Sequence, residues 1–284
     1  MRYRAQAVFS DGLQLANAPT MNRKPKIIFF DIDDTLLPKR SGRIPDSTRA
    51  ALGRLKGQGI AAAIATGRPP CLIPDSVRTL MADSGIDILI SINGQHIERG
   101  GEVLAQYPLR PVDTAAAVAH LHSLGIAYAL EHPHRVAVPQ DHPHIRTALG
   151  SLAIPYQTGA PDPAQPVCQM LAFYGEEQAA AVEAGLPAGL RTTRWHAYGV
   201  DILPADSSKA RGIRAVLDTL GLAAAVDAMA FGDGLNDMEM LQSVGCGVAV
   251  GNAHPALKAV ARHICPPADQ DGILRGLTAL GVLD

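Results

Sequence analysis

Asp31, Asp33 and Asp34 follow directly on the apolar run Lys26-Ile-Ile-Phe-Phe30. Such a run reads as a strand buried on both faces, as in a parallel sheet. Asp31 and Asp33 stand two apart, so on extended backbone their carboxylates point to one side. Carboxylates that close repel each other unless a cation, or a proton on one of them, relieves the repulsion. The stretch therefore asks for Mg2+, a general acid, or both. Taken alone it also suits a structural cation loop or a turn. It does not suit an EF-hand, because Leu36 stands where that loop needs Gly and Gly42 where it needs a bidentate Glu.

Three further groups have matching chemistry: Thr66-Gly67-Arg68, Lys209, and Gly232-Asp233-Gly234-Leu235-Asn236-Asp237. Each has an ordinary reading by itself. The first is a turn, the second a surface lysine, and the third a loop with a helix N-cap, since Asp and Asn serve both. Together they supply carboxylates for a metal, a hydroxyl and backbone N–H groups for phosphate oxygens, and a cation for charge. That set suits phosphoryl transfer.

The elements between these groups decide whether they meet. Residues 26–30 form a first strand, and Pro45-Asp46-Ser47 then opens a helix that Gly57 and Gly59 close. Residues 60–65 form a second strand ending at Thr66, and a helix follows to about Ser84. Residues 87–92 form a third strand, closing on Asn93-Gly94. This rhythm predicts a parallel sheet. It returns near the C-terminus with a helix over 207–220, a strand over 227–231, a short helix over 237–244, strands over 247–250 and 263–265, and a helix over 273–280. Ligands of such sheets sit beyond the carboxyl ends of the strands, where the loops converge.

Residues 95–196 differ in texture, being rich in proline and holding eight of the ten histidines. Their pattern predicts helices over 112–124, 144–152 and 176–184. It predicts strands over 126–131, 135–138, 168–174 and 191–196. This reads as a mixed α/β domain inserted into the sheet domain. The expected division is a core of residues 24–95 and 196–284, an insert of residues 96–195, and a flexible extension of residues 1–23.

Composition narrows the partners. The 284-residue chain has a net charge of -2 and 18% charged residues, which argues against a general basic field for nucleic acid. Cys71, Cys168, Cys246 and Cys265 form no C-x-x-C pair, so free thiols and a cytoplasmic location are expected. No apolar run approaches the roughly 18 residues of a membrane span. His132-Pro-His134 and His142-Pro-His144 are expected to be exposed loops, with metal or substrate contact as the alternative. Cys71, close after Thr66-Gly-Arg-Pro-Pro, is expected to be inert although near the cleft.

The four groups, in this order, resemble those of the haloacid dehalogenase-like (HAD) hydrolase superfamily, and more narrowly its Cof-type phosphatases. Ile92-Asn93-Gly94, Val200-Asp201-Ile202-Leu203-Pro204 and Gly251-Asn252-Ala253 extend the resemblance. Two departures are Asp34, where Gly is commoner, and Ala210 after Lys209, again in place of Gly. The resemblance implies a Rossmann-like parallel-sheet core with an inserted α/β cap of the C2B type, lying between the second and third motifs. It implies Mg2+-dependent hydrolysis of phosphate monoesters of small metabolites, such as sugar phosphates or phosphorylated cofactors. Asp31 would be the nucleophile and Asp33 the general acid and base. The metal would be held by Asp31, the Asp33 carbonyl, Asp233 and Asp237. Thr66, Gly67, Lys209 and Asn236 would hold phosphate, Arg68 would reach substrate or pair with an acid, and Asn252 would touch phosphate or support its loop. A sugar phosphomutase, or a phosphometabolite-binding regulator without turnover, are the alternatives, and a monomer or homodimer is expected.

Overall fold

Thirteen strands and ten helices account for most of the chain in a computed structural model that describes residues 23–152, 154, 156, 158–160, 162 and 165–284. The expected extension lies outside these residues except for Arg23, which sits 3.3 Å from Asp227. In chain order the strands are β1 (Ile27–Phe30), β2 (Ala61–Ala65), β3 (Ile88–Ser91), β4 (His96–Arg99), β5 (Glu102–Gln106), β6 (Ala127–His132), β7 (Arg135–Ala137), β8 (Gln169–Phe173), β9 (Leu190–His196), β10 (Gly199–Pro204), β11 (Ala228–Gly232), β12 (Cys246–Ala249) and β13 (His263–Ile264). The helices are α1 (Asp46–Gly57), α2 (Asp75–Ser84), α3 (Pro111–Ser123), α4 (Pro143–Ser151), α5 (Ala179–Gly185), α6 (Lys209–Leu220), α7 (Ala224–Asp227), α8 (Met238–Ser243), α9 (Pro255–Val260) and α10 (Gly272–Ala279).

The first sheet has the order β13-β12-β11-β1-β2-β3-β4-β5. Its strands from β13 to β3 run parallel, and β1 lies at the centre with every residue fully buried. Helices cover both faces of such a strand, which is why Ile-Ile-Phe-Phe carries no polar alternation. Phe30 is in register with Phe231, and their rings stack at 5.2 Å. The chain leaves β1 toward β2 on one side and returns through β11 on the other. The strand order reverses at that point, so the loops after β1 and β11 open into one crevice.

The second sheet has the order β7-β6-β8-β10-β9 and is antiparallel. One face packs Leu130, Met170, Val200 and Ile202 against Ala117 and Leu121 of α3 and Val182 of α5. The other packs Ala129, Leu171 and Phe173 against Ile145, Ala148 and Leu149 of α4.

The two sheets do not divide the chain at the expected residues. β4 and β5 continue the first sheet antiparallel to Gln106, and β10 joins the second sheet through Pro204. The hairpin is made by Gly100 and Gly101, both at positive φ, which lets β5 fold back on β4. β10 is held between β8 and β9, so the insert ends only at the turn before α6.

That turn sets the Lys209 end of α6. Ser208 caps the helix, its Oγ accepting from Arg211 N at 3.2 Å, and Gly221 closes it in the left-handed region. Ile213, Val216 and Leu217 bury one face. The first turn rests on Ile92, Asn93 and Gly94, three consecutive residues at positive φ. A side chain on Gly94 would collide with the Ser208 carbonyl oxygen. Gly94→Ala is therefore expected to lower stability by about 2–4 kcal/mol, from left-handed strain and overpacking together, as read by urea unfolding.

Candidate active site

The loop after β1 carries Asp31 to Thr35, and the loop after β11 carries Asp233 to Asp237. Lys209, fully buried at the start of α6, lies between them. Its Nζ donates to Asp31 Oδ1 and to Asp237 Oδ1, each at 2.6 Å. Asp237 Oδ2 accepts from the backbone N–H groups of Asp233 and Gly234 at 2.9 Å, which orients both its oxygens. Thr35 Oγ1 donates to Asp233 Oδ1 at 3.2 Å. A carboxylate oxygen from each of Asp31, Asp233 and Asp237 falls within 4.8 Å of the others, and among the described residues no other such group is found.

Hard oxygen donors clustered this closely fit a Mg2+ ion, which prefers carboxylates and water. The electrostatics point the same way. Burial, opposed by Lys209 and reinforced by Asp237 and Asp233, holds the Asp31 carboxyl well above its ordinary range. Burial and the neighbouring Asp237 push Asp233 up to about 7. Burial alone would lower the Lys209 ammonium, yet Asp237 and Asp31 together hold it raised. One ammonium does not offset three carboxylates out of water, and a divalent cation would.

Asp33 stands apart from this group. Arg68 grips it in a fork, Nε to Oδ2 and Nη2 to Oδ1, both at 2.7 Å. Arg68 Nη1 also donates to the Leu72 carbonyl at 3.1 Å. Of the two readings open for Arg68, this structure has the acidic partner. Thr66 Oγ1 accepts from Arg68 N at 3.1 Å, shaping the turn that presents Gly67. A Cβ on Gly67 would come within 3.2 Å of Asn93 Oδ1 and 3.6 Å of Asn236 Nδ2, so the bare backbone suits close packing there. Asn252 Nδ2 donates to the Asp34 carbonyl at 2.8 Å and its Oδ1 accepts from Ala268 N at 2.9 Å. Asn252 thus braces the β1 loop while lining the cavity. The Asp34 departure also has a physical account. Its φ is 58°, a conformation that Gly favours and Asp tolerates, and its Oδ1 accepts from Lys39 N at 2.7 Å.

A cavity of about 460 Å³ opens above these residues. Its floor includes Asp31, Asp33, Asp233 and Asn236; its roof is the second sheet, with Glu131, Gln169, Leu171, Asp201 and Trp195. Four polar residues of this region were not among the candidates: Asn93, Glu131, Gln169 and Asp201, all buried. Asn93 Nδ2 donates to Gln169 Oε1 at 2.9 Å and to Asp201 Oδ2 at 3.1 Å, and its Oδ1 accepts from Asn236 Nδ2 at 3.1 Å. A lone carboxylate or amide inside an apolar strand, as in Ala-Tyr-Ala-Leu-Glu or Gly-Val-Asp-Ile-Leu, was the signal available.

The histidine pairs take no part in a cluster of possible metal ligands among the described residues. His132 Nδ1 lies 3.0 Å from the Pro166 carbonyl, and His142 caps α4. His132 is fully buried, contrary to the expected exposed loop. Cys71 is exposed at its surface, and partial burial of its thiol together with nearby Glu131 raises its pKa to about 11, which disfavours the reactive thiolate. No helix of the described residues is long and apolar enough to cross a membrane.

A family model described as haloacid dehalogenase-like hydrolase matches residues 28–277. YkrA of Bacillus subtilis, provisionally named a phosphatase, is 36% identical over 267 residues, 91% of this chain and 98% of that protein. The HMP-PP phosphatase of Klebsiella pneumoniae is 30% identical over 249 residues, 84% of this chain and 89% of that protein. The solved structure of the HAD subclass IIB sugar phosphatase BT4131 is 30% identical with a TM-score of 0.83, covering 91% of this chain and all of that one.

Proposed function

This chain belongs to the haloacid dehalogenase-like hydrolases and is a phosphatase of the Cof type, and on that premise we propose that it hydrolyses a phosphate monoester of a small metabolite with Mg2+ as cofactor. The observation that carries the proposal is Lys209, bridging Asp31 and Asp237 at 2.6 Å beside a carboxylate group able to hold a divalent ion. Mg2+ on Asp31, Asp233 and Asp237, with the Asp33 carbonyl, would shield the charge that separates nucleophile from phosphate.

In this mechanism an Asp31 oxygen forms a bond to phosphorus while the ester P–O bond breaks, giving an aspartyl-phosphate. The leaving oxygen takes a proton from Asp33. Asp33 then takes a proton from water, whose oxygen attacks the same phosphorus and restores Asp31, releasing inorganic phosphate. Asp33 must leave the Arg68 fork, which favours its anion, and take up a proton from solvent before it can protonate the leaving oxygen. Lys209, Thr66, the Gly67 N–H and Asn236 bear the phosphate oxygens. The insert acts as a cap that excludes water and selects the leaving group.

The names of relatives support a small-metabolite class, since one is named an HMP-PP phosphatase and another a sugar phosphatase. Phosphate release across a panel of phosphorylated metabolites, with Mg2+ and with EDTA, tests the proposal. Release from a few small esters, lost with chelator and recovered on adding Mg2+, is expected. Transfer of the phosphoryl group within one sugar, without free phosphate, would make the chain a mutase. No turnover with tight binding of one phosphometabolite would make it a binder.

A further inference from the structure

The loops after β2 and β11, the turn before α6 and the second sheet all meet at Asn93. Its N–H donates to the Thr66 carbonyl at 3.0 Å, and its carbonyl accepts from Ser207 Oγ at 3.2 Å, two residues before Lys209. Its side chain joins Asn236 of the β11 loop to Gln169 of β8 and Asp201 of β10. Its backbone is held at a φ of 50°, between Ile92 at 49° and Gly94 at 84°. Asn tolerates that left-handed region, whereas its β-branched neighbour does not, and such strain persists only where the surroundings impose it. Asn93 is 4% exposed, so its partners and not solvent decide which way its amide faces.

The direction of donation is set at the second sheet. Burial lifts the Asp201 carboxyl to about 7, so above that pH its oxygens only accept. Glu131 Oε2 accepts from Gln169 Nε2 at 2.9 Å. Burial raises the Glu131 carboxyl too, but a protonated carboxyl keeps an oxygen that accepts. Gln169 thus turns its amino group to Glu131 and presents Oε1 to Asn93. Asn93 faces two acceptors, and both its amide hydrogens go to them. Its Oδ1 is left toward the core, where Asn236 Nδ2 donates to it. Reversing the Asn93 amide would set oxygen against oxygen at Gln169 and at Asp201.

Asn236 takes its orientation from this chain of donors. It is exposed to the cavity, and among the described residues its side chain has no other hydrogen bond. Its Nδ2 lies 3.6 Å from where a Cβ on Gly67 would stand, beside the turn assigned to phosphate, and its Oδ1 lies on the Gly234 side. One Nδ2 hydrogen goes to Asn93 Oδ1, which leaves the second for a phosphate oxygen. With the amide reversed, an acceptor would meet the phosphate in its place.

We propose that Asn93 is a positioning residue through which Gln169 and Asp201 of the second sheet aim the Asn236 amide at the phosphate. This deepens the phosphatase reading and rests on it for the place of the phosphate. The phosphate site is then complete only with the second sheet seated on Asn93.

Inorganic phosphate is the probe, titrated calorimetrically with saturating Mg2+ at about pH 8. It has no leaving group to fill the space under the second sheet, so an effect of Gln169 on its affinity is not a lost ligand contact. Asn93→Gly, which suits the left-handed backbone, is expected to bind phosphate about tenfold more weakly than the wild type, and Gln169→Met about fivefold more weakly. Gln169→Glu should stay within about twofold of the wild type, since its carboxyl still accepts from Asn93 while sharing one proton with Glu131. With Asn236→Ala already in place, Asn93→Gly and Gln169→Met should each change the affinity by less than about twofold, because no amide is left to aim. General damage to the fold would weaken phosphate in both backgrounds. Losses that add to that of Asn236→Ala overturn the proposal. So does wild-type affinity in Asn93→Gly or Gln169→Met, a Gln169→Glu protein as weak as Gln169→Met, or a wild type that binds no phosphate. Coupled losses of the expected kind, in a protein that releases phosphate from no ester, would instead overturn the phosphatase reading alone.

Discussion

Asp31→Asn is expected to lose turnover by on the order of 10³-fold or more while the protein stays folded. Asn keeps the shape of the side chain but is not an anionic nucleophile, so the bond from carboxylate to phosphorus does not form. Lys209 keeps its contact with Asp237 at 2.6 Å, and that contact keeps the start of α6 in place. The sign of the stability effect follows from the carboxyl. Its folded value stands well above 3.8, mainly through burial. A group so raised binds protons more firmly in the folded chain, and its contribution is lost as pH rises past the unfolded value. At neutral pH without metal the aspartate is therefore a burden, and the asparagine variant should melt no lower than the wild type. Phosphate release by stopped assay and a melting curve in EDTA check the two halves. Wild-type turnover in protein free of contaminating phosphatase would remove Asp31 from the nucleophile's role. A large drop in melting temperature would mean that the Lys209 contact with Asp31, and not only that with Asp237, holds the loop.

Much of this site was legible because it is written at strand ends. Ile27–Phe30 has no polar alternation, which marks a central parallel strand, and the acids that follow must then lie at its carboxyl end. The same holds for Ala228–Gly232 and Asp233. Two such loops meet when their strands are neighbours, which the doubly wound order provides. The hairpin of β4 and β5 was missed because its outer strand, Glu-Val-Leu-Ala-Gln, is mostly exposed and lacks the apolar run of a buried strand. β10 was read only as a motif before α6, since nothing local shows that Val200 and Ile202 pack on a second sheet.

The polar network of the roof was beyond local reading for another reason. Asn93, Gln169 and Asp201 are joined across 76 and 108 residues of sequence. A pattern of periodicity reports which face of a strand is buried, but not what it is buried against. Asn93 had a local clue in its company, Ile92 and Gly94. A β-branched residue at a φ of 49° is rare, and strain of that kind collects at functional sites. The choice for Arg68 was left open for want of the same knowledge: Asp33 lies 35 residues away, and only the fold brings its carboxylate into the guanidinium fork.

Lys209→Met tests whether the lysine serves the phosphate alone or also the carboxylates beneath it. It is fully buried, and both its acidic partners are nearly so. Without metal, removing the ammonium leaves Asp31, Asp233 and Asp237 with no buried cation hydrogen-bonded to them. Breaking a buried ion pair from one side costs about 3–5 kcal/mol, more than truncating an exposed lysine would. The loss should depend on pH in a definite direction. Asp31 stands above its ordinary range and Asp233 at about 7 even with Lys209 present, and without it both rise further. Their protonated forms tolerate burial, so the deficit is small near pH 5 and grows toward about pH 8. Mg2+ should narrow it, because a cation held by the same carboxylates replaces part of the missing charge. Turnover should fall by on the order of 10²-fold even with saturating Mg2+, since the phosphate loses a fixed positive group. Urea unfolding in EDTA and in Mg2+, at about pH 5 and about pH 8, separates the two roles. A deficit that is the same at both pH values and insensitive to Mg2+ would show that the methionine disturbs packing and that the lysine does not balance charge. A stability unchanged throughout, with turnover reduced, would confine Lys209 to the phosphate. The 2.6 Å contacts to two different carboxylates in the absence of any substrate are the reason to expect neither.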